Sequence, residues 1–415
     1  MRGSGCDSHF AELQADNPFR KAELMRYTTA GESHGPQLTA VIEGIPAGLT
    51  IDPEKINADL KRRQQGYGRG NRMKIESDQV QITAGVRHQK SMGGPIVLQV
   101  TNRDHGHWGD IMSPTATETP ENTVRQVTKP RPGHADLVGG EKYQHTDLRN
   151  VLERSSARET TMRVAVGSLC KQLLAQVGVQ VLGFVQMLGG IAADPAKLPE
   201  IGDLTALSRI TNVSDVRTYD EDAAAKIRTL IDETKKKGDT LGGVVQVVAT
   251  GLPVGLGSYV SADRKLDAKL ARAIVSINAF KGVEFGDGFG LAKHPGSEDM
   301  DEIFYDKDKG FYRGSNHLGG FEGGMTNGMP VIVKGVMKPI PTLYKPLRSV
   351  DVNTKEPFVA NVERSDTTAV PAASVVAEAM VAITLAQAIL DKFDADALPR
   401  LQAQLKAYNE ELAQY

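Results

Sequence analysis

The sequence predicts a mixed fold of short strands and helices gathered into a single domain. Three observations carry that expectation. Six β-rich runs, most flanked by Gly or Asn, are spread along the chain at Leu38 to Ile45, Val80 to Val86, Pro95 to Thr101, Val179 to Met187, Val244 to Ala249 and Met329 to Val336. Helical patterns lie between them. Although 415 residues would divide by length into two or three domains, no Pro/Ser-rich linker, charge block or low-complexity tract separates one part from another. This much is compatible with either an α/β or an α+β arrangement.

Residues 1–24 have no clear periodicity and run straight into a second methionine, Met25. They are expected to be an added, disordered leader, with one domain over 25–415. Asp52 followed by Pro53 reads as an N-cap with proline at the first helical position, and Ile56 and Leu60 give that helix one apolar face up to about Arg63. The loop GYGRGNR follows. Ser156 and Glu159 have capping-box spacing, and the pattern runs on through Met162, Val166, Leu169 and Leu173 to a stop at Gly178. Arg158 in its first turn would put a guanidinium beside backbone N–H groups and the helix dipole, which suits a phosphate or carboxylate. A second buried helix is expected from Pro371 through Val376, Met380, Ile383 and Leu390, directly after the loop ERSDTT. From about 391 a helical extension carries Leu401, Leu405, Tyr408 and Leu412 on one stripe, for core packing or for a subunit contact. The fragments GGPIVLQV, LGGVVQVV and NGMPVIVKGV share a glycine-then-β-branched character that hints at an internal duplication.

A formal charge of −2 and a pI near 6.5 argue against a protein whose main business is nucleic acid. Any phosphate site must be local. No uninterrupted apolar run reaches the roughly 18 residues of a membrane span, and no secretory signal is apparent, so a cytoplasmic protein is expected. Cys6 and Cys170 give neither a disulfide framework nor zinc spacing.

Two small loops each present one histidine: His34 beside Ser33 in GESHGP, and His134 in KPRPGHAD. Glycine keeps each open to a ligand, and imidazole suits proton transfer near neutral pH. A loop histidine on its own more often caps backbone groups; beside His134, however, Arg131 and Asp136 can set its protonation. The basic run from Lys61 to Lys74 admits three readings: a solvated helix end, an RNA-binding patch with Tyr67 for stacking, or an anion clamp through Arg63 and Arg69. His105 and His107, with Asp104 and Asp110 beside them, can be read as metal ligands of a hydrolase, but a third well-placed group is not evident and no metal is expected. No Rossmann or P-loop motif is present.

Taken together, GESHGPQLTAVIEGIP, KPRPGHADLVG, ERSSARETTMRVAVGSL, INAFKGVEFGDGF, NHLGGFEGGMTNG, KPIPT and ERSDTTAVPAASVVAEAM resemble, in order and spacing, the motif series of the chorismate synthase family, from Met25 to about Leu390. The resemblance implies an α+β fold, a β-α-β sandwich of antiparallel sheets enclosing helices, with an internal pseudo-repeat and usually a homotetramer. It implies a lyase (EC 4.2.3.5) of the shikimate pathway, which eliminates phosphate from 5-enolpyruvylshikimate 3-phosphate with the help of reduced FMN. By the same resemblance His34, held by Ser33, is the acid serving the departing phosphate, His134 protonates the reduced flavin, and Asp366 is the carboxylate beside flavin N5. Arg63, Arg69, Arg131 and Arg158 match substrate anion-binding positions. Arg154, Ser155, Ser156, Asn278, Ala279, Gly323, Lys338, Pro339, Ile340, Pro341, Thr342 and Arg364 match flavin contacts. No appended reductase domain is read, so the flavin is expected to be reduced elsewhere, although some relatives reduce it with NADPH.

Overall fold

The β-rich runs fold into two antiparallel sheets. In the first, β1 (Arg26–Ala30), β2 (Gln37–Glu43), β3 (Val80–Ala84) and β4 (Ile96–Thr101) lie in the order β1-β2-β4-β3. Leu38, Ala40 and Ile42 of β2 stand opposite Val100, Leu98 and Ile96 of β4, so the period-two alternation gives one continuous apolar face. In the second, β5 (Gln180–Leu188), β6 (Gly243–Thr250), β7 (Phe280–Phe285) and β8 (Val331–Met337) lie in the order β7-β8-β6-β5, with a short edge piece at Ile191–Ala192. The computed structural model describes residues 25–70, 77–115, 125–202, 204–307, 310–363, 365–393 and 395–415. The leader over 1–24 lies outside them.

Each sheet turns its apolar face to helices in the middle layer. Asp52 caps α1 (Pro53–Gln64) by accepting from the Glu54 N–H, as its place before proline predicts. Short helices α2 (Asp136–Tyr143) and α3 (Arg149–Ser155) lead to α4 (Thr160–Ala175). Its start differs from the capping-box expectation. Ser156 accepts from the Arg158 N–H at the head of a 3₁₀ turn, Ala157–Glu159, and the Glu159 carboxylate is drawn to Arg163 at 2.9 Å instead of folding back on the cap. The chain stops at Ala175 and turns through Gly178 at φ +79°, where the sequence places the stop. Outside the second sheet, Leu204 and Leu207 of α5 (Leu204–Val213) cover Leu182, Phe184 and Val248, which is why β5 is a nearly unbroken apolar run. Helices α6 (Glu221–Lys236) and α7 (Leu266–Val275) precede α8 (Val370–Lys392) and α9 (Leu398–Leu412).

The α+β sandwich is therefore observed: α4 packs on β2 and β4 of the first sheet, α8 on β5 and β6 of the second, and the two helices on each other. Each half of the chain contributes a sheet followed by a buried helix. Contrary to the reading of apolar runs, α8 is long and apolar enough to cross a membrane, yet 94% of its most apolar window is buried inside the protein. Its Glu378 is the reason the sequence looks interrupted, since this carboxylate pairs with Arg62 at 2.8 Å and Lys171, and accepts from the Gly183 N–H. Leu401 and Leu405 of α9 join the central core and Tyr408 packs against it, so this part of the C-terminal stripe is packing surface.

The close approach of α4 and α8 depends on Gly167. A Cβ built there would lie 2.4 Å from Ala379 Cβ and 2.5 Å from its Cα. Gly167→Ala is expected to destabilise the fold by about 1–3 kcal/mol through overpacking, outweighing a helix-propensity gain of about 1 kcal/mol. Denaturant unfolding reads the sign, and a stabilised variant would contradict this packing.

Candidate active site

The enclosed helices present their N-terminal ends to one cavity of about 400 Å³. The loop before α4 brings Ser155, Ser156, Ala157 and Arg158; the loop before α8 brings Ser365, Asp366 and Ala369. Arg63 from the end of α1 and Arg69 from the following loop face them, with Arg131 and His134 on a third side. Asn278, Ala279, Met337, Lys338, Ile340, Pro341 and Thr342 close the remainder. A second chamber of about 560 Å³ shares Arg131, Leu152 and Ser156 with the first and holds His34, Asp104, Trp108, Arg125, Arg149 and Glu363. The two sequence-predicted histidines thus occupy adjoining chambers on either side of Arg131.

Charge dominates the first chamber. Arg63, Arg69, Arg131, Arg158 and Lys338 line it among the described residues, against the single carboxylate Asp366. Most of these guanidiniums are held by carboxylates. Arg158 bonds Asp78 at 2.7 Å and Asn102 at 2.7 and 2.9 Å; Arg69 bonds Asp366 at 2.8 Å. Arg63 differs. It donates to Thr160 Oγ1 and the Ala157 carbonyl, but Nη1 is buried without a hydrogen-bond partner and lies 3.8 Å from Asp78. Burial pushes its guanidinium down to about 9, with Asp78 countering in part and Arg158 and Arg69 adding to the fall. An anion entering the chamber would relieve this. Ser155 Oγ and Asn278 Oδ1 are also buried without partners at the same wall. Opposite, Ala279 holds φ +71°, a conformation a non-glycine residue adopts at a cost, while accepting from the Lys338 N–H at 3.0 Å.

His134 meets both charged neighbours that the sequence offers, Asp136 and Arg131. Nδ1 is 2.6 Å from Asp136 Oδ1, and the same carboxylate accepts from Arg131 Nε at 2.8 Å. Burial raises Asp136, but the bonds from His134 and Arg131 outweigh it and hold the carboxyl below the ordinary range. Arg131 also donates to Thr342 at 2.8 Å.

His34 sits differently from expectation. Its side-chain partner is Glu153, with Nδ1 2.8 Å from Oε1, whereas Ser33 meets Ser156 through its hydroxyl at 3.1 Å. Trp108 stacks on the imidazole at 3.8 Å between centroids. Neither Glu153 nor Trp108 is among the sequence-predicted site residues. Glu153 opens the motif ERSSARET, so its position was available to the eye; Trp108 was hidden inside the stretch read as metal-ligating. There His105 is engaged with the His34 carbonyl at 2.9 Å, and no cluster of three metal-ligating residue types forms among the described residues.

Other predicted residues fall less centrally. Arg154 bonds the Thr29 and Gly31 carbonyls at the first sheet and does not line the cavity. Gly323 lies in the hairpin Phe321–Thr326 beside Tyr259, and Pro339 is also off the wall. Arg364 lies outside the described residues. Among the described residues of the basic run, Arg62, Arg63 and Arg69 point into the protein and do not form the exposed patch an RNA-binding reading requires.

Residues 25–390 match the family described as Chorismate synthase. The chain is 61% identical over 389 residues to the chorismate synthase of Leuconostoc citreum, covering 94% of this chain and 99% of that one. It is 60% identical to that of Enterococcus faecalis over 92% and 98% of the two chains. A crystal structure of a chorismate synthase superposes with a TM-score of 0.77 at 39% identity, over 94% and 99%.

Because Asp136 is held below its unfolded value, its bonds stabilise the fold above the ordinary Asp range and lose that contribution as pH falls through the depressed value. The difference in thermal midpoint between the parent and Asp136→Asn is expected to shrink as pH falls below about pH 4. A difference that grows over that acidic range would contradict it.

Proposed function

This chain belongs to the chorismate synthase family, and from that premise we propose that the first chamber is where it holds reduced FMN against its substrate. It is a carbon–oxygen lyase of the last shikimate step: phosphate leaves 5-enolpyruvylshikimate 3-phosphate by 1,4-anti elimination, giving chorismate. The observation that carries the proposal for the site is the buried Nη1 of Arg63, which makes no hydrogen bond, within a wall of five cations. A substrate with two carboxylates and a phosphate matches that wall, and guanidinium forks suit both groups.

The residues present also fit a flavin. Leu152, Ala279, Met337, Ile340 and Pro341 give an apolar surface for a planar ring, while Ser155 Oγ and Asn278 Oδ1 are buried polar atoms awaiting partners. When bound, reduced FMN supplies an electron to the substrate and recovers it, with no net oxidation. Ser155, Ser156, Asn278, Ala279, Lys338, Ile340, Pro341 and Thr342 would hold it, with Arg364 assigned to the same role by family resemblance.

In this reading Arg63, Arg69, Arg131 and Arg158 orient the substrate and stabilise charge gathering on the departing phosphate. His34 delivers a proton to that phosphate. His134, oriented by Asp136, would pass a proton to the reduced flavin. Asp366, its carboxylate steadied by Arg69 and the Gly70 N–H, would stand beside flavin N5, where the hydrogen lost from the substrate ring is received. The elimination breaks one C–H and one C–O bond and forms one C=C bond, so proton and phosphate both leave and the electrons balance within the substrate. We further propose a cytoplasmic homotetramer that takes its flavin already reduced. Activity with NADPH and oxidised FMN would instead assign it a reductase activity.

Anaerobic turnover with chemically reduced FMN tests these roles. His34→Ala and His134→Ala are each expected to lower kcat by about 10²–10⁴-fold in folded protein. Unaltered turnover in both would overturn the assignment.

A further inference from the structure

We propose that Glu153 is the positioning residue for His34, fixing the imidazole as its Nδ1–H tautomer so that Nε2 is the nitrogen that exchanges a proton with the ligand. The kinetic consequence rests on the acid role proposed for His34; the tautomer itself does not.

Contacts converge on one buried carboxylate. His34 Nδ1 lies 2.8 Å from Glu153 Oε1 and 3.0 Å from Oε2, while the backbone N–H of His34 donates to Oε2 at 2.8 Å. The Glu153 main-chain carbonyl takes the Ser33 N–H at 2.9 Å, so α3 holds both the loop and the ring it carries. An ionised carboxylate only accepts. Nδ1 therefore keeps its hydrogen in the neutral ring and in the imidazolium alike, and the exchangeable proton belongs to Nε2. The ring is also fixed in plane, stacked on Trp108 with 21° between the planes.

The charged and titratable groups around the ring are few. Besides Glu153, α3 brings Arg149, whose Nη1 is 3.6 Å from Oε1 and steadies the carboxylate. The turn Arg103–His107 brings Asp104, 3.9 Å from Nε2, and His105, bonded to the His34 carbonyl. Arg125 lies beyond Trp108, its guanidinium 3.9 Å from the indole centroid. Among these, Glu153 is the group that meets Nδ1.

The geometry makes Glu153→Gln a sharp probe. A glutamine keeps one acceptor oxygen and gains an NH₂, which must face either the His34 backbone N–H or Nδ1–H. The backbone donor cannot change, whereas the ring can yield by moving its hydrogen to Nε2. Glu153→Asp remains acceptor-only and serves as the conservative control.

The test is a two-bond proton–nitrogen spectrum of the full chain labelled with ¹⁵N-histidine, recorded on the basic side of the ring's titration, with the His34 signal identified by its loss in His34→Ala. The parent and Glu153→Asp are expected to show Nδ1–H, and Glu153→Gln to show Nε2–H. In turnover, Glu153→Gln is expected to lower kcat at least about 10²-fold, as for a histidine held in the wrong tautomer, with KM changed far less. It should have no further effect on the His34→Ala background. An Nε2–H parent, or an unchanged tautomer in Glu153→Gln, overturns the proposal; if Glu153→Gln does not fold, the parent spectrum still decides. Full turnover in His34→Ala would instead sink the acid reading and leave the tautomer assignment standing.

Discussion

Gly167 of α4 and Ala379 of α8 approach until no side-chain carbon fits between them, and the placement of the candidate active site follows from that contact. Both helices are enclosed by the sheets, and both begin at the same end of the molecule, so the loops ahead of them converge on one cavity. Gly183 of β5 extends the constraint to the second sheet, since a Cβ there would meet the Ser374 carbonyl oxygen at 2.3 Å. Side chains set on two rigid helix starts keep their relative positions better than side chains on independent loops, which is what catalysis by orientation requires.

Neighbouring arginines on α1 show how the fold divides charge between structure and function. Arg62 turns inward to Glu378 and Asp59, where burial would lower its pKa but the two carboxylates more than reverse it. Arg63, one residue on, turns to the cavity and is lowered by burial with no comparable carboxylate contact. The first is a completed ion-pair network that fastens α1 to α8. The second is a buried charge with an unfilled hydrogen-bonding position facing the cavity, which costs the ligand-free fold some stability. The same division separates Glu153 and Arg154: one turns inward to His34, the other bonds backbone carbonyls of the first sheet.

Much of this was legible in the sequence because the signals were local. The Asp52–Pro53 cap, the six strand runs and the helix from Pro371 are set by backbone chemistry and periodicity, and each is found where it was expected. Arg63, Arg69, Arg131 and His134 were marked by glycine- or proline-bearing loops beside them, Arg158 by its helix start and Asp366 by family resemblance, and all six share one cavity. The partners were not legible. Asp78 reaches Arg158 across 80 residues of chain, and Glu153 reaches His34 across 119, through topology that no local pattern encodes. Glu378 misled in another way, because a lone carboxylate in an apolar run hides the run's true length until its cationic partners are known. The start of α4 was shifted by competition, since Arg163 offered Glu159 a better partner than the cap.

The central claim is that Arg63 is a buried charge left for the substrate to satisfy. Thermal unfolding with and without saturating 5-enolpyruvylshikimate 3-phosphate, in the absence of flavin, measures it directly for the parent and Arg63→Met. A ligand that binds only the folded state raises the midpoint in proportion to its affinity. The account predicts a clear rise in the parent that is largely lost in Arg63→Met; an equal rise in both proteins would contradict it.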